Sequence, residues 1–106
     1  MKIGCQCGET IIDQTDDLPH KAHFIADQDY SAVLEAIDEA IEKSGPTAKE
    51  KEAACMRVFS LISQFTRLAW QCSACGRIYL DDRDLVLRQF CPGTDDVPRE
   101  IFRSKP

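Results

Sequence analysis

The strongest periodicity lies in the middle of the chain. From Asp27 to Lys43, the apolar residues Val33, Leu34, Ile37, Ala40 and Ile41 recur at the spacing of one helical face, with charged residues between them. Asp27 and Asp29 each offer a short side-chain oxygen to the first-turn amides, so either can cap this helix. Ser44-Gly45-Pro46 ends it, since glycine suits the position after the last turn and proline cannot continue the helix. Thr47-Ala48-Lys49-Glu50 then has the form of a capping box. The second helix that it opens carries Ala54, Val58, Leu61, Ile62, Phe65 and Leu68 on one face. So short a connection predicts an antiparallel αα-hairpin.

On either side the pattern turns extended. Thr10, Ile11 and Ile12 favour a strand within Glu9–Asp13, and Phe24 and Ile25 favour another within Lys21–Ala26, with the polar Thr15–Pro19 between them. After the helices the chain turns at Arg67–Trp70. Arg77–Leu80 and Val86–Phe90 then flank an acidic DDRD segment and read as a β-hairpin. From Pro92 onward a loop is expected, with Ile101-Phe102 as its apolar anchor. The 106 residues suit one domain of α+β class. Its β part takes residues 1–26 and 67–91, the helical hairpin 27–66, and the C-terminal tail 92–106.

Two cysteine turns change this picture. CQCG near the start holds Cys5 and Cys7, and CSACG holds Cys72 and Cys75. Zn2+ prefers a tetrahedral shell of soft thiolates, and a turn that presents two cysteines supplies half of that shell. Glycine follows the second cysteine of each pair, Gly8 and Gly76, and suits a backbone that bends back with positive φ. A redox-active C-x-x-C pair would call for a thioredoxin-like βαβ pattern, which the chain does not offer. Iron in a four-cysteine site remains the alternative metal.

In these residues the chain resembles the zinc-ribbon superfamily, where two C-x-x-C-G knuckles on β-hairpins clamp one zinc ion. The likeness covers about the first dozen residues and Trp70–Phe90. It implies Cys5, Cys7, Cys72 and Cys75 as ligands of one structural Zn2+ in an antiparallel ribbon-like sheet. The first knuckle is one residue tighter than the family form. Residues 8–71 lie between the knuckles, far more than the family's spacing of about 15–20, and the αα-hairpin fits there as an insertion.

The remaining candidates have plainer readings. Cys55 beside the second helical stripe is expected to be a small buried hydrophobe, and Cys91 a bystander. His20 and His23 point to opposite faces if their segment is extended, so they cannot chelate together. Trp70, Tyr79 and Phe90 are expected in the core and around the metal. Arg67, Arg77 and Arg88 are expected to be answered by Asp81, Asp82 and Asp84.

Charge bears on partners. The formal net charge is −5, and four thiolates around a divalent ion would bring it to about −7. That sign disfavours direct nucleic-acid binding, which rests on neutralising phosphates. Glu35, Asp38, Glu39 and Glu42 share one side of the first helix and form an acidic stripe suited to a partner with a basic surface. No stretch is apolar enough to cross a bilayer or to serve as a signal-peptide core, so a cytoplasmic protein is expected.

With all four metal positions given to cysteine and no catalytic constellation, the chain reads as a non-enzyme. The reading is a protein–protein interaction module, of the kind that inhibits a basic partner as immunity proteins do. An accessory factor of transcription or translation machinery is the alternative.

Overall fold

The computed structural model describes residues 1–106. Eight elements follow in order: β1 Lys2–Gly4, β2 Thr10–Ile12, β3 Lys21–Ile25, α1 Asp27–Glu42, α2 Ala48–Phe65, β4 Thr66–Gln71, β5 Ile78–Asp81 and β6 Leu87–Phe90. The fold is α+β, with two helices and two antiparallel sheets. β1 and β2 pair with Ile3 opposite Ile11. The second sheet has the order β3-β4-β5-β6. In it Trp70 lies opposite Tyr79, and Tyr79 opposite Gln89.

The backbone forms two compact units, residues 1–24 with 67–106, and residues 25–66. The core of the first is Ile3, Cys5, Ile11, Trp70, Cys72 and Tyr79, with Leu68 and Cys75 packed against it. Period-two alternation explains the choice. Ile3 and Ile11 are the central residues of their strands and the only buried ones there. The Trp70 indole N–H donates to Asp13 Oδ2 at 3.0 Å, and Asp13 also pairs with Lys21 at 2.8 Å. A short polar cluster thus closes one edge of an otherwise apolar core.

A second polar group sits deeper. Gln71 is fully buried, and its side chain bridges backbone from the C-terminal tail. Its Nε2 donates to Pro98 O at 2.9 Å, while its Oε1 accepts the Ile101 N–H at 3.0 Å. The tail is therefore fastened by backbone hydrogen bonds to an amide side chain. Phe102 is half-buried and Ile101 exposed, so apolar anchoring is the lesser part.

In the helical unit, α1 and α2 pack against each other, joined by residues 43–47. Thr47 caps α2, its Oγ1 accepting the Glu50 N–H at 3.1 Å. The Glu50 carboxylate returns to the Thr47 hydroxyl at 2.9 Å, so the capping box closes through side chains. At α1 the cap is Ala26, with no side-chain bond. Asp27 and Asp29 lie inside the first turn, where their charges still favour the positive end of the helix dipole. Lys43 ends α1, its N–H bonded to Glu39 O, and Gly45 does not take positive φ.

Burial corrects several expectations. Val33 and Ala54 are the buried residues of the two helices. Leu34, Ile41 and Cys55 are exposed. Each lies close to 80–100° around its helix from the buried position at 100° per residue, so the apolar stripe is wider than the face that packs. Phe90 is exposed too. Arg67 lies over the Phe24 ring at 4.8 Å, and of the three arginines only Arg88 pairs with that aspartate group, through Asp82. No helix is long and apolar enough to cross a membrane.

Candidate metal centre

Two turns of similar hydrogen bonding present the cysteines. In the first, leaving β1, the Cys5 N–H donates to Glu9 O at 2.8 Å and the Gly8 N–H donates to Cys5 O at 3.0 Å. In the second, between β4 and β5, the Cys72 N–H donates to Arg77 O at 2.9 Å and the Gly76 N–H donates to Cys72 O at 2.8 Å. Gly8 and Gly76 take φ of 98° and 83°, a region open to glycine and costly for L side chains. The first turn closes one residue sooner, which accommodates its C-x-C spacing. At Gly76 an added Cβ would also meet Arg99 Cδ and Pro92 Cγ, each at 3.3 Å.

The turns bring Cys5, Cys7, Cys72 and Cys75 together, with all four Sγ atoms within 4.8 Å of one another. Cys5 and Cys75 are 3.5 Å apart, and Cys7 and Cys72 3.6 Å apart. No pair is bonded as a disulfide. An ion with metal–sulfur bonds of about 2.3 Å in tetrahedral array sets its sulfurs about 3.8 Å apart. The donor set and its spacing therefore fit a four-thiolate metal site. Cys5 and Cys72 are buried, Cys75 is half-buried and Cys7 exposed, so the site opens on one side.

The electrostatics of the sulfurs differ sharply. Burial opposes ionisation of Cys5, but hydrogen bonds from the Tyr79 hydroxyl and the Cys7 amide outweigh it and bring the thiol down to about 6. Burial pushes Cys72 up to about 12 despite the amides of Cys75 and Ala74, with Cys5 and Cys7 adding to the rise. Protein groups alone thus support negative charge on Cys5 and keep Cys72 protonated. A divalent cation removes that conflict, because each ligand binds as thiolate and its proton is released.

Side chains around the sulfurs hold the turns in place. Tyr79 accepts the Gln6 N–H at 3.0 Å, and its single hydroxyl proton is shared between Gln89 Oε1 at 2.8 Å and Cys5. Gln89 Nε2 donates in turn to Gln6 Oε1 at 2.7 Å. Arg77 Nη1 donates to Cys75 Sγ at 3.3 Å, while its Nε is buried with no hydrogen-bond partner. The sulfur of Cys75, and then that of Cys91, hold the Arg77 guanidinium firmly protonated.

A family model described as a domain of unknown function, DUF8617, matches residues 1–103. The chain belongs to the DUF8617 family. No curated protein and no solved structure matches it. The match spans both cysteine turns and the helical hairpin of this DUF8617 chain.

Other residues singled out in the sequence lie outside the cluster. His20 donates from Nε2 to Ile12 O at 2.8 Å, and His23 is exposed on β3. Cys91 is exposed, with the Gln89 amide 3.9 Å from its sulfur. Glu35, Asp38, Glu39 and Glu42 are all exposed on α1, and Glu39 pairs with Lys43. Sequence reasoning missed Arg77, Gln6 and Gln89 in this DUF8617 chain. For Arg77 a signal existed, since it is the second residue after Cys75; the neighbouring aspartates drew it elsewhere. The glutamines carry no signal of their own, because the β5–β6 register places Gln89 opposite Tyr79 and the fold brings Gln6 to it from the first cysteine turn.

Proposed function

We propose that this DUF8617 chain is a structural zinc protein that works by binding a protein partner with a basic surface. The observation that carries the zinc reading is the meeting of four sulfurs from two turns separated by residues 8–71. Zinc in that position fastens the β1–β2 hairpin to the four-stranded sheet, closing a long loop at an entropic cost that grows only slowly with length. The glycine-closed turns support a likeness to the zinc-ribbon superfamily, with the helical hairpin as an insertion. A shell filled by four cysteines leaves no position on the metal for water or substrate, which supports a structural role for the metal and the reading of the chain as a binding protein rather than a zinc enzyme.

The partner reading rests on charge. Glu35, Asp38 and Glu42 have no cation among the ion pairs of the molecule. A basic surface would neutralise them, speed association and select the partner. Inhibition of that partner, in the manner of an immunity protein, is the role such a small acidic binder would fill in the cytoplasm. The test is capture by tagged, zinc-loaded protein from its native lysate. One basic protein should be recovered in near-equal amount and lost at high salt. It should also be lost with Glu35→Gln, Asp38→Asn, Glu39→Gln and Glu42→Gln combined. Equal capture by that variant would overturn the partner reading.

A further inference from the structure

The acidic stripe does not stand alone on α1. Tyr30, Leu34 and Ile41 are exposed by 52%, 46% and 62%. With half-buried Ile37 they follow a four-three-four spacing, the seam that one helix offers to another in a coiled coil. Asp38 lies four residues after Leu34 and three before Ile41, so it stands beside both apolar side chains. Glu35 and Glu42 lie three before and four after Asp38 on the outer margin. None of these three carboxylates has a cation of its own. The one lysine near the end of the helix, Lys43, is taken up by Glu39.

We infer that this face of α1 docks a basic amphipathic helix of the partner protein, its apolar seam against Tyr30, Leu34, Ile37 and Ile41 and its cations against Asp38, Glu35 and Glu42. The inference rests on the partner reading above and specifies the partner's element. Charge selects the occupant. A second copy of this chain would bring two acidic margins together with no cations between them, and like charges across an interface are disfavoured. A flat basic surface would satisfy the carboxylates but leave three large apolar side chains in water. A helix with lysine or arginine flanking an apolar seam satisfies both.

The test uses full-length, metal-loaded protein and two fluorescent peptides. One is about three heptads long with leucine at a and d and lysine at e and g, so that its like charges prevent it from pairing with itself. The other is an unstructured lysine-serine peptide of equal charge. The amphipathic peptide should bind more tightly than the charge-only peptide. Leu34→Ser and Ile41→Ser should each weaken it by about tenfold, as expected for an apolar side chain buried at an interface. Asp38→Asn should weaken it and reduce its salt dependence. Unchanged helical circular dichroism and metal content show that these surface variants are folded.

Equal binding of the two peptides, insensitive to Leu34 and Ile41, would overturn the helix-docking inference while leaving the basic-partner reading in place. No binding of either peptide at low salt would overturn both. Sedimentation showing a wild-type dimer that Ile41→Ser dissociates would assign the face to a second copy and overturn the inference.

Discussion

Asp13 contributes more to the β unit than its place in a short polar run suggests. It accepts from the Trp70 indole and pairs with Lys21, and its side chain is only 12% exposed. The Lys21 hydrogen bond first, then that from Trp70, holds its carboxyl below the usual value of 3.8. A depressed carboxyl contributes stability that is full above 3.8 and is lost as pH falls through its lower folded value. Asp13→Ala should cost about 1–3 kcal/mol at neutral pH, because the buried indole N–H loses its acceptor. The single tryptophan lets fluorescence follow the melt, and an unchanged transition would contradict this assignment.

Arg77→Met should leave all four cysteines in place yet weaken metal retention by about 10–100-fold, the usual cost of losing a hydrogen bond behind a ligand. Transfer of zinc to a competing chelator measures it, and an unchanged rate would deny Arg77 that role. The clustering of the cysteines was legible in the sequence because each pair is local and glycine-marked. Gln71 and Asp13 were not, because their partners come from other strands and the tail.

At the scale of elements, the two turns should differ in tolerance. Gly76→Ala adds a Cβ in a left-handed conformation and against Arg99 and Pro92, whereas Gly8→Ala meets the same backbone cost in open space. Gly76→Ala should therefore lose more metal affinity than Gly8→Ala, as read by titration with cobalt, whose thiolate absorption reports four-sulfur binding. Equal losses would mean that backbone conformation alone matters.

The helices were legible because eighteen or so residues of period 3.6 cannot be mistaken for strand. β1 was not, since Lys2–Gly4 has one apolar residue and is specified by its pairing with β2. β4 was hidden because α2 runs into it without a loop. Thr66 is already extended while its hydroxyl still bonds Ile62 O at 2.6 Å, and the apolar pattern continues through the junction to Leu68.

For the whole molecule, the core of the β unit includes two of the four sulfurs, so a metal bound by them would be coupled to the folding of that unit. Charge acts at the same scale, because four thiolates in an acidic protein would need a cation to relieve their repulsion. The proposed site, one zinc per chain held by Cys5, Cys7, Cys72 and Cys75, is open to X-ray absorption on stoichiometrically loaded protein. The spectrum should show one zinc per chain with four sulfur neighbours at about 2.3 Å. A shell containing nitrogen or oxygen, or protein that folds fully and binds no metal, would contradict it.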